Sequence, residues 1–230
     1  MNILVVHETL GWLGGVEQNI AVTVEGLRER GHRVSLVHFG RRARDPERYG
    51  RLFDACIELP SPTTPGGDQA FARCLDEQGP DVVYLHKLAR LPEVLVRGSG
   101  LRSVRMIHDH DLCCPRRHGY TAWRQRICRS PAGWRCWLDV AFLARPGPLP
   151  GGFRFLRPDA LVAELQRNRR LDRLLVGSRF MAEELARNGF PADQVAVIPP
   201  VLPSVGSAST PGGKIGPSST PPRAEPPKLL

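Results

Sequence analysis

Three histidines stand at or just after the ends of short apolar runs in this 230-residue sequence. They are His7, His86 and His108, and Asp109 and Asp111 follow the third of them. Near neutral pH a histidine can hydrogen-bond a hydroxyl group or act as an acid or a base. If the runs are parallel strands, all three histidines lie at the carboxyl edge of the sheet, where ligands bind. The pattern predicts a polar site, although any one of these histidines could instead only satisfy backbone groups.

A glycine-bearing loop, Gly11 to Gly15, follows the first apolar run. Gly14 and Gly15 have no side chain that would prevent a ligand from approaching the backbone. The helix predicted next would point free N–H groups toward an anion such as phosphate. Glu17 falls in its first turn, where its carboxylate could simply balance the helix dipole. The loop lacks the G-x-G-x-x-G and G-K-[ST] patterns, which argues against NAD binding and nucleotide triphosphatase activity.

A cluster of cysteines is the second candidate site. It consists of Cys113, Cys114, Cys128 and Cys136, with His108, His110 and His118 close in sequence. Four such ligands in tetrahedral reach could bind a structural zinc ion. The spacing lacks the paired C-x2-C pattern that makes such a prediction strong. Reduced thiols and a redox-sensitive pair therefore stay open as alternatives, and an intracellular location would argue against stable disulfides.

The elements that must position these residues follow a regular order. The run Ile3 to Val6 suits a strand buried on both faces, and an amphipathic helix over about residues 16–30 follows it. Further strands are predicted near residues 32–39, 55–59, 81–86, 104–107, 173–176 and 195–198, and helices near 69–77, 92–96, 161–171 and 179–188. Alternating strands and helices predict an α/β fold with a Rossmann-like, doubly wound, mostly parallel sheet. The arginine-rich residues 40–51 are predicted to be a solvated loop.

Two segments depart from this order. Residues from about 110 to 158 are rich in Cys, Trp and Arg and predict an insertion, in which Trp123, Trp134 and Trp137 could cover the cleft. Residues 203–230 are rich in Pro, Gly and Ser and predict a disordered linker or tail. Residues 1–202 are therefore predicted to form one Rossmann-like domain.

The net charge of +9 at first suggests a nucleic-acid partner. However, the arginines are scattered, and the sequence has neither an RNA-binding motif nor a basic helix. We expect no nucleic acid, and retain an anionic membrane surface or a phosphate-bearing ligand as partners. No apolar run approaches the roughly 18 residues of a membrane span, and the N-terminus does not have the form of a signal peptide. We expect a cytoplasmic protein, with peripheral binding at the inner face of the membrane as a further expectation.

Four segments, in this order and spacing, resemble a known family. They are GGVE, HDHDLCCP, LLVGSRFMAEEL and VAVIPPV. Over about residues 2–201 the chain resembles the N-terminal half of retaining GT-B glycosyltransferases of the group 1, family 4 type. Such enzymes have two Rossmann-like domains that face a cleft. The resemblance implies that the N-terminal domain mainly binds the acceptor, whereas the C-terminal domain binds the nucleotide-sugar donor and holds a Glu-x7-Glu pair.

The resemblance also assigns roles to individual positions. It implies that His108 is the catalytic histidine, near the transferred sugar. Gly14 and Gly15 would line the cleft near the donor phosphates and the acceptor, and Ser178, Arg179 and Phe180 would face the same cleft. The complete set of expected substrate-binding residues is Gly14, Gly15, Glu17, His7, His86, Asp109, Ser178 and Arg179.

These observations predict half of a glycosyltransferase that moves a sugar from a nucleotide-sugar donor to a glycan, polysaccharide or lipid-linked acceptor of the cell envelope, with no required cofactor. The 230 residues include no counterpart of the donor domain. We therefore expect the chain alone to be inactive and a donor domain to act in cis or in trans. Two other classes stay open: a non-catalytic Rossmann-like module that binds a ligand or partner, and a cysteine-based metal or redox protein.

Overall fold

A seven-stranded parallel sheet runs through the part of the chain that the computed structural model describes, residues 1–98, 100–121 and 126–199. Its strands are β1 (Asn2–Leu10), β2 (Arg33–Arg42), β3 (Ala55–Glu58), β4 (Val82–Leu85), β5 (Arg102–Ile107), β8 (Arg173–Val176) and β9 (Val195–Val197). Their order across the sheet is β3-β2-β1-β4-β5-β8-β9. Every pair of neighbouring strands is parallel, so the predicted fold class is confirmed.

Helices alternate with the strands along the chain. They are α1 (Gly15–Glu29), α2 (Pro46–Gly50), α3 (Gly67–Gln78), α4 (Glu93–Val96), α5 (Arg135–Leu138), α6 (Pro158–Asn168) and α7 (Arg179–Arg187). Short 3-10 turns cover His110–Leu112, Pro150–Gly152 and Ala192–Gln194. None of the helices in the described ranges has the length and apolar character that a membrane crossing requires.

The first strand shows why both faces of the sheet are covered. Val5 is fully buried and belongs to the same apolar cluster as Ile20 of α1. Val6 is also fully buried, and its cluster contains Phe71 of α3. Since successive side chains of a strand point to opposite faces, the unbroken apolar run provides one residue for each layer of helices in turn.

The prediction of a solvated loop over residues 40–51 is wrong. Strand β2 continues to Arg42, and α2 begins at Pro46. Tyr49 of this short helix is fully buried, and its ring packs edge-on against Trp12 at a centroid distance of 5.0 Å. The surrounding arginines are largely exposed. The arginine-rich composition therefore reflects the solvent-facing side of this segment and does not indicate that Tyr49 is buried.

The predicted insertion contains an element that the sequence did not indicate. Strands β6 (Leu143–Leu149) and β7 (Phe153–Phe155) pair antiparallel in a sheet of their own. Trp134 directly precedes α5, Trp137 lies within it, and both are exposed. Trp123 and the predicted tail over residues 203–230 lie outside the described residues.

Candidate functional site

The three predicted histidines converge at the carboxyl edge of the sheet. His7 lies in β1, His86 directly follows β4, and His108 directly follows β5. These strands are neighbours, and the strand order reverses between β1 and β4, which is where doubly wound sheets bind ligands. The ring centroids of His7 and His86 are 6.4 Å apart, and those of His86 and His108 are 5.2 Å apart. The structure thus brings all three into one polar cluster.

Glu17 connects this cluster to the glycine loop. One carboxylate oxygen, Oε1, lies 3.0 Å from Nε2 of His7, and the other, Oε2, accepts the backbone N–H of Gly14 at 2.7 Å. Burial would raise the pKa of Glu17, but the hydrogen bonds from His7 and from backbone N–H groups outweigh it and lower the pKa to about 2. Because an ionised carboxylate can only accept hydrogen bonds, Nε2 of His7 must carry the proton. Glu17 is buried, with 4% of its surface exposed, and its two contacts connect the glycine loop at Gly14 to His7.

The backbone at Gly14 and Gly15 faces open space. A Cβ atom built on either residue would meet no other atom within 4 Å. Packing within the protein therefore gives no reason for glycine at these two positions. Their backbone lies at the N-terminus of the 15-residue helix α1. Glu17 accepts the N–H of Gly14, so an anion would meet the N–H groups of the following residues in the first turn.

His86 and His108 form a direct pair. Nδ1 of His86 lies 2.9 Å from Nε2 of His108, and the two rings are nearly parallel. Burial, followed by the influence of His108, lowers the pKa of His86 well below its ordinary value. Burial, followed by the influence of His7, lowers the pKa of His108 to about 4. Both rings are therefore neutral at pH 7.

Charged side chains border the histidine pair. Nζ of Lys87 lies 2.7 Å from Oδ2 of Asp109 and 3.0 Å from Oδ2 of Asp111. The other oxygen of Asp109 accepts the backbone N–H of Asp111 at 2.9 Å and so caps the 3-10 turn that follows. Burial opposes ionisation of Asp109, but the hydrogen bond from Lys87 is among the contacts that lower its pKa. Sequence reasoning missed Lys87, although its position directly after His86 at a strand end was a usable signal.

An open cavity of about 240 Å³ adjoins these residues. Charged groups of both signs line it, together with leucine and alanine side chains; the charged residues are Glu8, Lys87, Arg105, Asp111, Arg117, Arg157 and Glu164. Arg105 lies in β5 and is buried, and it donates to Oδ1 of Asn168 at 2.7 Å and to the carbonyl of Leu88 at 3.2 Å. Sequence reasoning missed both Arg105 and Glu164, because an arginine in a strand and a glutamate in a helix usually face solvent.

Ser178 and Arg179 lie at the same edge, after β8. Oγ of Ser178 accepts the N–H of Met181 at 3.3 Å and caps α7. Arg179 is exposed, and neither residue has a hydrogen bond or an ion pair with the three histidines. The ring of Phe180 packs edge-on against His110, which is not one of these three histidines, at a centroid distance of 6.0 Å.

The four clustered cysteines surround a small cavity of about 30 Å³, which His110 and Glu184 also line. All four have free thiols. Burial raises the pKa of Cys113 to about 12, so its thiol is protonated at pH 7. Across the described ranges, no group of three or more His, Cys, Asp or Glu side chains is arranged so that it could hold a metal ion. The structure thus brings the cysteines near one another without forming the tetrahedral zinc site that the sequence suggested.

Comparison with known proteins gives the family. The family model for glycosyltransferase family 4 matches residues 13–202. A search of curated proteins finds no match.

Many solved structures share the fold, among them the following two. A glycosyltransferase from Rickettsia africae ESF-5 has a TM-score of 0.51 at 13% identity, over 86% of this chain and 42% of that one. Anabaena Alr3699/HepE, solved in complex with UDP-glucose, has a TM-score of 0.50 at 16% identity, over 88% of this chain and 44% of that one. The chain thus spans less than half the length of either. At these identities the likeness shows the fold, whereas the family model covers most of the sequence: the chain belongs to glycosyltransferase family 4.

Proposed function

We propose that this chain is the acceptor-binding half of a glycosyltransferase, and that transfer takes place where the carboxyl edge of its sheet faces a second, donor-binding domain. One observation carries this proposal. The chain is a member of family 4, and three pairs of polar side chains meet at that edge beside an open cavity. They are the pair His86–His108, the pair His7–Glu17 and the ion pair Lys87–Asp109.

The donor is a nucleotide sugar. The Anabaena structure holds UDP-glucose, which makes UDP-sugars the first donors to test. The open backbone at Gly14 and Gly15, at the N-terminus of α1, suits the phosphates of such a donor. His108 hydrogen-bonds the transferred sugar, and charge that develops on the sugar and the leaving phosphate is stabilised electrostatically in the closed cleft.

The acceptor occupies the cavity beside Lys87 and Arg105. Carboxylates there can accept hydrogen bonds from sugar hydroxyls, cationic groups can bind phosphate, and leucine side chains can pack against the apolar face of a sugar ring. This lining favours a glycan, polysaccharide or lipid-linked acceptor of the cell envelope over a purely apolar molecule. Such a reaction would take place in the cytoplasm.

The test is a transfer assay with UDP-, GDP- and ADP-sugars and a panel of glycan acceptors. The 230-residue polypeptide alone should give no turnover, because half of the site is supplied by the donor domain. Addition of a family 4 donor domain, joined or mixed, should produce transfer. Turnover by the polypeptide alone would contradict the half-site proposal. If no combination is active and NMR detects no acceptor binding, the transferase proposal is wrong.

We also propose that an anionic membrane surface is a partner. Trp134 and Leu138 are each 67% exposed, and they share one groove with the exposed Ile127. Three arginines line the same groove: Arg126, Arg129 and Arg135. Exposed tryptophan and leucine amid arginines suit the interface of an anionic bilayer, since the rings enter the headgroup region while the guanidinium groups meet lipid phosphates.

The double substitution Trp134→Ser and Leu138→Ser should weaken binding to vesicles that contain phosphatidylglycerol by about tenfold, which corresponds to ~1.4 kcal/mol. Cosedimentation measures the effect, and Ile198→Ser, at an exposed position just after β9, is the matched control. Equal binding to neutral phosphatidylcholine vesicles, or no loss in the double variant, would rule out this surface.

A further inference from the structure

The contact between His86 and His108 requires one donor and one acceptor. The two nitrogens are 2.9 Å apart, so one of them must carry a proton and the other must offer a lone pair. Two arrangements are possible for a pair of neutral rings. Either His86 donates from Nδ1, which places the proton of His108 on its own Nδ1, or His108 donates from Nε2, which places the proton of His86 on its own Nε2.

The surroundings of His86 distinguish the two. Its Nε2 is buried and has no hydrogen-bond partner among the described residues. If His86 accepted, this nitrogen would be a buried N–H with no acceptor, which is rarer in proteins than an unsatisfied acceptor. The arrangement in which His86 donates from Nδ1 leaves only a lone pair at the buried Nε2.

We propose that His86 is a positioning residue that fixes His108 in its Nδ1–H tautomer and so makes His108 a hydrogen-bond donor toward the cleft. Nε2 of His108 is engaged by His86, and no described residue partners its Nδ1. Given the proposed function, His108 then donates to an oxygen of the substrate. It does not take the proton from the acceptor hydroxyl, because Nδ1 has no lone pair to offer.

NMR of the 230-residue chain with ¹⁵N-labelled histidine reads the tautomer directly. Long-range ¹H–¹⁵N correlations at pH 7 should show His108 with a protonated Nδ1 and a bare Nε2. In His86→Leu the donor is lost, and at least half of His108 should convert to the Nε2–H form. His86→Asn places an amide N–H where Nδ1 of His86 was, and should restore the Nδ1–H tautomer.

A wild-type His108 protonated on Nε2 would overturn the proposal, even if both variants failed to fold. So would an unchanged tautomer in a folded His86→Leu variant. None of these measurements requires transfer activity. A failed transfer assay would therefore not contradict the tautomer proposal. Likewise, an unexpected tautomer would not contradict the proposal that the chain is half of a transferase.

Discussion

Replacing His108 by alanine should lower kcat for sugar transfer by about 100- to 1000-fold in the enzyme assembled with its donor domain. The side chain lies directly after β5 at the carboxyl edge of the sheet, and one of its nitrogens is already held by His86. The remaining nitrogen is a preoriented donor, and loss of such a group from a closed site removes stabilisation that water does not replace. Initial rates at saturating donor and acceptor measure the effect.

Two further variants make this result specific. His108→Asn keeps an amide N–H near the position of Nδ1 and should recover at least tenfold of the lost rate. His32→Ala removes a histidine that precedes β2, at the amino edge of the sheet, and should leave kcat unchanged. A His108→Ala enzyme within threefold of wild type would remove His108 from the reaction.

The position of this histidine could be predicted, because it depends on topology alone. The unbroken apolar run of β1 indicated a strand buried on both faces, which implies a parallel sheet. In such a sheet the residues that follow each strand meet at one edge, so His7, His86 and His108 had to be near one another. The structure adds what periodicity cannot show, namely that Glu17 reaches back to His7 and that His86 contacts His108 through named nitrogens.

The polar partners around the site could not be predicted. Arg105 and Asn168 are 63 residues apart in sequence, and Lys87 and Asp109 are 22 apart. Hydrophobic periodicity identifies which face of an element is buried, but it does not say which charged side chains pair inside. The cysteines illustrate the converse, because proximity in sequence suggested a zinc site that the described residues do not form.

Arg105→Leu should lower the free energy of unfolding by about 3–5 kcal/mol. Nη1 of Arg105 lies 3.7 Å from Oε1 of Glu164, and both side chains are largely buried. Without the guanidinium, the amide oxygen of Asn168 loses its donor, and the carboxylate of Glu164 loses one of its two cationic neighbours and keeps only Arg167, whose Nε lies 3.3 Å from Oε2. Leucine fills the volume of the side-chain stem but neutralises nothing. Urea unfolding followed by circular dichroism measures the change. The matched control is Arg102→Leu, at the exposed start of the same strand. Its free energy of unfolding should change by less than about 0.5 kcal/mol.

The pH dependence separates lost charge pairing from lost packing. Burial raises the pKa of Glu164 above its ordinary value of 4.5, whereas the N–H of Leu91 and the charge of Arg105 oppose that rise. In Arg105→Leu one of these opposing influences is gone, so the folded-state pKa rises further above the unfolded value. The folded state then binds more protons than the unfolded state, and stability is greatest below the unfolded pKa and falls as pH rises through the folded pKa. Arg105→Leu should therefore regain stability on acidification from pH 7 toward pH 5. Adding Glu164→Gln, which removes the buried charge, should abolish this gain. If the stability of the single variant Arg105→Leu does not change between pH 7 and pH 5, Arg105 acts through packing alone.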